Sequence, residues 1–317
     1  MKPTRCALLM STLFLLAPAS TLSAADLPDP ATVKPVKVFT VPHYCEGVVF
    51  DHQGNGYLSE GKNIVKFSLD GRHKVWATTG APNGHKILAD GTHLVCDASR
   101  HAVLHLGADG RFLNNASDKC DGKPLRGPND LSLDPKGGFY FTDPGGSSDK
   151  KPIGTVHYVD AHGTTHLVDS HLAFPNGIVL VPGGKRLLVG ESKHNRILKY
   201  TVLKPGKLGH RRVFANLPTK QGDQIDNQPD GMCLDAAGNL YVAHYGMRQV
   251  QVLNLRGKLI ARYRGGNLTT SNVAFGGPNM DQLFVTGGLG KEAGGGGLFR
   301  LDLGVKGLVI LPARKRK

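Results

Sequence analysis

The chain has 317 residues, 20% charged and 40% hydrophobic, with 42 glycines and a formal net charge of +14. That composition excludes a disordered chain, and the glycines, lacking a G-X-Y period, suit tight turns rather than collagen. One Trp, 7% aromatics and scattered basic residues argue against a nucleic-acid partner and leave a basic body suited to anionic small molecules or surfaces.

Lys2 and Arg5 precede an apolar run from Ala7 to Ala17, and small residues end at Ser23-Ala24-Ala25. This reads as a secretory signal over 1–25, with 26–317 as one mature domain of charge about +12 once Lys2 and Arg5 are removed. The run is too short to span a bilayer comfortably, and Cys6 precedes it, so neither a stable membrane anchor nor a lipoprotein is expected. The protein should be exported, to the periplasm or the medium. Cys45, Cys96, Cys120 and Cys233 then remain, in a spacing that matches no zinc pattern. Three pairings are open to them. Cys96 and Cys233 sit in apolar runs and are expected to stay free as small buried hydrophobes.

From residue 46 the chain repeats. Glu46-Gly47-Val48-Val49-Phe50-Asp51 turns at Gly54 into Tyr57-Leu58-Ser59-Glu60. The same unit of apolar run, glycine turn and second apolar run begins again at Asn83, Asn129, Asn176, Asp230 and Asn272. Third strands are visible at Ile64–Phe67, Ala102–Leu106, Thr155–Tyr158, Arg196–Tyr200, Gln249–Leu253 and Leu298–Leu301. A period of about 45 residues with four short strands per unit predicts an all-β fold, a six-bladed β-propeller with four antiparallel strands per blade. No amphipathic helix follows the signal, against an α/β fold. Val36–Thr40 and Gly307–Pro312 are both candidates to close the ring, since a raw sheet edge would otherwise remain.

In a propeller the innermost strands are parallel around the axis, so their first residues meet at one channel mouth. Here those residues are Glu46, Asn83, Asn129, Asn176, Asp230 and Asn272, each with a side-chain oxygen. A hard cation such as Ca²⁺ takes about six to eight oxygens. Glu46 and Asp230 would offset its charge, and Asn129 and Asn176 would add neutral donors. Turn preference alone accounts for Asn83 and Asn272 but poorly for Glu46. A second set, Glu60, Asp97, Asp143, Glu191 and His244, ends the second strands on the same face. Most of these read as turn caps; His244 is singled out as an acid-base or substrate-binding candidate. Gly294 to Gly297 lacks the Lys-Ser/Thr of a phosphate loop, and no Gly-x-Ser-x-Gly elbow is present.

Glu46-Gly47, Arg126-Gly127-Pro128-Asn129-Asp130, Phe141-Thr142-Asp143-Pro144, Phe174-Pro175-Asn176-Gly177, Gln228-Pro229-Asp230-Gly231-Met232 and Ala274-Phe275-Gly276-Gly277 occur in this order. The pattern resembles the gluconolactonase / senescence-marker-protein / luciferin-regenerating-enzyme family over about Val36 to Leu311. The resemblance implies a six-bladed propeller with a divalent cation at the channel mouth. Ca²⁺ is the usual ion, and Mg²⁺, Mn²⁺ and Zn²⁺ are alternatives. Its ligands fall on Glu46, Asn129, Asn176 and Asp230. Lactones are the implied substrates, with other esters and phosphotriesters as alternatives. The family's substrate-binding Arg, where present, stands two before the Asn; here that position is Gly127, and Arg126 stands three before Asn129. Arg126 is therefore a substrate-contact candidate, with Asn83, His85, His244 and Asn272 around the same mouth. Asp230 is the expected base for water attack on the lactone carbonyl, with Asp130 as its substitute. A non-catalytic, metal-stabilised binding propeller is the contrasting class. The protein is expected to act as a monomer. The segments Asn114–Leu125 and Thr219–Gln228 are expected to cover the mouth.

Overall fold

A computed structural model describes residues 27–290 and 294–309. Among them the chain builds six antiparallel blades, and the sole helical element is a 3-10 turn at Ser192–His194. The innermost strands are Cys45–Phe50, Pro82–Ile87, Leu131–Leu133, Pro175–Leu180, Gln228–Leu234 and Thr269–Gly276. Each touches the innermost strand of the next blade, and the last touches the first, so the ring is closed. In the first five blades the strands follow one another outward in chain order. The fourth is extended by the nine-residue strand Arg196–Lys204, which carries a short extra partner at Lys207–Leu208.

Closure uses the N-terminal candidate. Val36–Val41 pairs antiparallel with Gly296–Asp302 as the outermost strand of blade six, from Val36 opposite Arg300 to Val41 opposite Gly296. Gly307 instead bridges Asp235 of blade five; residues 310–312 of that candidate lie outside the described residues. This clasp ties the chain's first strand into the last blade and covers the strand Gly296–Asp302, which would otherwise be the open edge.

The hydrophobic core is divided among the interblade seams, with six buried clusters for six seams. Strand alternation sends each apolar set against the neighbouring blade. Phe50 meets Phe284 at 4.7 Å across the closing seam, and Tyr241 meets Phe275 edge-on at 5.0 Å between blades five and six. Each such side chain contributes about 1.5–3 kcal/mol through burial. Two of the hairpin turns share one device. Asp51 accepts the Asn55 amide and the Tyr57 hydroxyl around Gly54, and Asp235 repeats this with Asn239 and Tyr241 around Gly238.

Cys45, Cys96, Cys120 and Cys233 are all buried thiols with no disulfide among them. Burial pushes the Cys45 thiol up to about 12, so it stays protonated and inert at neutral pH. The proposed signal, residues 1–25, lies outside the described residues. No helix of the described residues is long and apolar enough to cross a membrane.

Candidate active site

The innermost strands do not run straight into the mouth. Their pairing with the second strand breaks register between Glu46 and Val49, Pro82 and His85, Pro175 and Ile178, Pro229 and Met232, and Thr270 and Asn272. A bulge at each of these points re-aims the residue at the strand's start. Glycine follows four of the six. A Cβ on Gly47 would collide with the Asn83 carbonyl, and one on Gly177 with the Asp230 carbonyl. Only glycine lets neighbouring strands close so tightly around the axis. Hydroxyls of one blade then fix carbonyls of the next: Ser59 Oγ donates to Asn83 O at 2.8 Å and Thr142 Oγ1 to Asn176 O at 2.8 Å.

The result is a cavity of about 460 Å³ whose floor includes Glu46, Asn83, Asn129, Asn176 and Asp230. Five of the six predicted ring residues therefore line it. Asn272 does not; it is buried beside Gly231 and supports Glu46 by hydrogen bonding. The walls come from residues not singled out in the sequence, although Gln228 and Asp226 fall in the Thr219–Gln228 segment expected to cover the mouth. Tyr44, Phe174 and Gln228 each stand two positions before a ring residue, on the same face of an extended chain. That offset was the available signal. Tyr245, Ser192, Asp226, Thr269 and Gly290 complete the rim. Phe174 is held at φ 60°, a strained backbone for a bulky side chain. Its amide donates to Ser147 Oγ and its carbonyl accepts from the Ser192 amide, which keep it there.

The electrostatics of the floor are unusual. Burial pushes the Glu46 carboxyl up to about 7, against the Tyr44 hydroxyl, which donates to Oε1 at 2.9 Å; Asp130 adds repulsion. Burial pushes Asp230 well above the usual carboxylate range, and Glu46 and Asp130 add to it. Desolvation of its hydroxyl and the two acids beside it hold the half-buried Tyr44 protonated, well above its ordinary value. Glu46 Oε2 and Asn129 Oδ1 are buried acceptors without a hydrogen-bond donor. Such orphaned oxygens are costly unless something else satisfies them. No three His, Cys, Asp or Glu side chains converge as a metal cluster among the described residues. The ring is instead an all-oxygen set of two carboxylates and two carboxamides. Its chemistry and its unsatisfied oxygens fit a hard divalent cation.

Four other predicted residues fall elsewhere. Asp130 lies under the floor, where its Oδ1 accepts the Leu131 amide at 2.8 Å and faces Lys86 Nζ at 4.0 Å; it does not line the cavity. His85 is buried in the seam of blades one and two, with Nε2 at 2.7 Å from His93 Nδ1 and its ring over Trp76. The register break after Pro82 separates it from the face that Asn83 presents. His244 is fully buried; its Nε2 donates to Asn195 Oδ1 at 2.9 Å, and burial pushes it down to about 4. Arg126 is exposed and turns away, its guanidinium on the Ile153 carbonyl and its amide donating to Asp143. The segment Asn114–Leu125 lines no part of the cavity, and Thr219–Gln228 contributes only Asp226 and Gln228.

The second set of acids has a plain structural duty. Each holds the segment that leads into its own blade's innermost strand. Glu60 accepts the His43 amide, Asp97 the Gly80 and Ala81 amides, Asp143 the Arg126 amide and Glu191 the Ala173 amide, always 16 to 18 residues back. Of these, only Asp97 also caps the corner that follows its own strand, accepting the Arg100 amide at 3.0 Å; the turn-cap role expected from the sequence is otherwise replaced by this hold on the lead-in segment.

Comparison with known proteins agrees with this fold. A family model described as SMP-30/Gluconolactonase/LRE-like region matches residues 45–288. Lactonase drp35 of Staphylococcus saprophyticus is 32% identical over 83% of this chain and 84% of its own. Diisopropyl-fluorophosphatase of Loligo vulgaris is 27% identical over 76% of this chain and 84% of its own. The crystal structure of regucalcin from Agrobacterium tumefaciens, described as a calcium-binding protein, superposes with a TM-score of 0.71 at 22% identity, covering 86% of this chain and 96% of that one.

Proposed function

This chain belongs to the SMP-30/gluconolactonase/LRE-like family of propeller hydrolases, and from that premise we propose that it hydrolyses lactones with a divalent cation, Ca²⁺ foremost. The observation that carries the reading is a cavity whose floor exposes two carboxylates and two orphaned buried oxygens. Glu46, Asn129, Asn176 and Asp230 would hold the ion. When bound, it supplies Lewis acidity to the lactone carbonyl and to the negative charge that grows on its oxygen as water attacks.

The rest is work for side chains. Asp230 accepts the proton of the attacking water; it is the ring carboxylate without a tyrosine hydroxyl already engaged, whereas Glu46 is tied to Tyr44. Asn83 offers an amide to the ring oxygens of the substrate. Phe174, Tyr44 and Tyr245 wall the cavity and limit water around the scissile bond. Asp130 gives way to Asp230 as base, because its position under the floor keeps it from the substrate. Export to the periplasm or the medium and action as a monomer complete the reading carried from the sequence.

The similarity to diisopropyl-fluorophosphatase favours a second reading, a phosphotriesterase or esterase on the same ring. A substrate series decides between them. The purified protein should turn over glucono-1,5-lactone or another small lactone faster than aryl esters or diisopropyl fluorophosphate. Turnover of the fluorophosphate alone would transfer the site to the second reading.

A further inference from the structure

The opposite end of the channel holds a second cavity, of about 510 Å³, larger than the one above the ring. No residue lines both. The second is built from the far ends of the innermost strands and their turns. Its wall is dominated by Val49, Leu133, Met232, Phe275 and Ala274, and Lys86 enters it from the innermost strand of blade two. The Lys86 side chain is 16% exposed. Its Nζ makes no hydrogen bond to the described residues, and its one ion pair is the 4.0 Å contact with Asp130, too long for a hydrogen bond. Asp130 in turn is occupied by the Leu131 amide. An ammonium with free N–H donors at the edge of an apolar cavity of ligand size is a recognition feature.

We propose that this cavity is a second binding site for an elongated apolar molecule with one uncharged hydrogen-bond acceptor, such as a medium-chain ketone or ester, whose oxygen takes an N–H of Lys86. The neutral head follows from the charges. Lys86 and Asp130 already balance each other, so a carboxylate would bury an uncompensated negative charge near Asp130, Glu46 and Asp230. The apolar body follows from the walls. The site does not depend on the hydrolysis reading, because the ring and Asp130 lie between the two cavities.

The test is direct binding of 2-decanone and of decanoate to the full-length protein by equilibrium dialysis, with a small lactone as competitor. The ketone should bind saturably, more tightly than decanoate, and the lactone should not displace it. Lys86→Met should weaken the ketone by about three- to tenfold, the loss of one hydrogen bond. Ala274→Phe, which fills the wall, should weaken it tenfold or more and leave lactone turnover at the wild-type rate. Val49→Phe, from a different blade, repeats the block should Ala274→Phe fail to fold. Any of four results overturns the proposal: no saturable ketone binding, binding indifferent to both filling variants, displacement by the lactone, or tighter binding of decanoate. So does binding that emerges only after removal of residues 310–317, which would give the cavity to the chain's own end.

Discussion

Two rings of polar side chains face the same mouth of this propeller and behave in opposite ways. In the outer ring, burial pushes Asp97 up, but hydrogen bonds from the Ala81, Arg100 and Gly80 amides outweigh it and hold the carboxyl below its ordinary value. Glu191 is the same case, with the Ala173 amide and Arg196 against burial. In the inner ring, burial wins. Glu46 stands at about 7 and Asp230 is driven higher than a carboxylate's ordinary range. Glu46 and Asp230 also accept hydrogen bonds, from Tyr44, Gly47 and Asn272 and from Asn176 and Gly231, but there burial and the repulsion of neighbouring carboxylates outweigh them. Hydrogen bonds decide the state of Asp97 and Glu191, whereas burial and mutual repulsion decide that of Glu46 and Asp230, the combination that marks a functional site.

The sharpest way to break this contrast is at Asp230. Asp230→Asn should lower lactone turnover by about a thousandfold, the scale of a lost general base. Steady-state rates at saturating cation check it, and near-wild-type turnover would remove Asp230 from the chemistry. Next is Glu46→Gln, which keeps the shape and removes one of two ring charges. Calorimetric titration should show cation affinity falling by about a hundredfold, with the fold intact.

The outer ring should respond in stability instead. Asp97→Ala leaves the half-buried Gly80 and Ala81 amides without their acceptor, at a cost of about 1–3 kcal/mol in denaturant unfolding. Cation affinity should be unchanged within about a factor of two or three. A cation effect as large as that of Glu46→Gln would erase the distinction between the rings.

The pH dependence of stability should separate them without mutation. Glu46 has its folded value raised, so its contribution is fully present below the ordinary carboxylate value and is lost as pH rises to about 7. The cation-free protein should therefore lose melting temperature on going from pH 5 to pH 7.5. Asp97 and Glu191, with folded values lowered, contribute stability above the ordinary value that is lost as pH falls below it. Saturating cation should remove the neutral-side loss and leave the acid-side loss. The smallest effect is expected at His244. It is neutral at pH 7 and bonded to Asn195, so His244→Asn should change turnover less than about threefold while costing about 1 kcal/mol in stability.

The propeller was legible because its signal repeats: one strand–glycine–strand unit, six times, leaves few alternatives. The ring was legible for the same reason, since Glu46, Asn129, Asn176 and Asp230 occupy one register of that repeat. What escaped was whatever depends on local breaks in it. His85 follows Asn83 by two and would share its face in an unbroken strand, but register shifts between them and His85 packs against His93. Arg126 lies one residue off the alternation that brings Tyr44, Phe174 and Gln228 to the cavity, and its side chain turns outward. Asp130 sits where four of the other five blades have glycine, and it goes under the floor with Lys86. Bulges are decided by packing around the axis, which no single blade's sequence reveals.

The most direct test of the account is turnover of a small lactone after EDTA treatment, with Ca²⁺, Mg²⁺, Mn²⁺ and Zn²⁺ returned one at a time. The account predicts that turnover is abolished by EDTA and restored by Ca²⁺, with a rise in melting temperature on the same Ca²⁺ titration. Turnover that survives complete removal of divalent cations would contradict it, because the unsatisfied oxygens of the inner ring would then serve some other ligand.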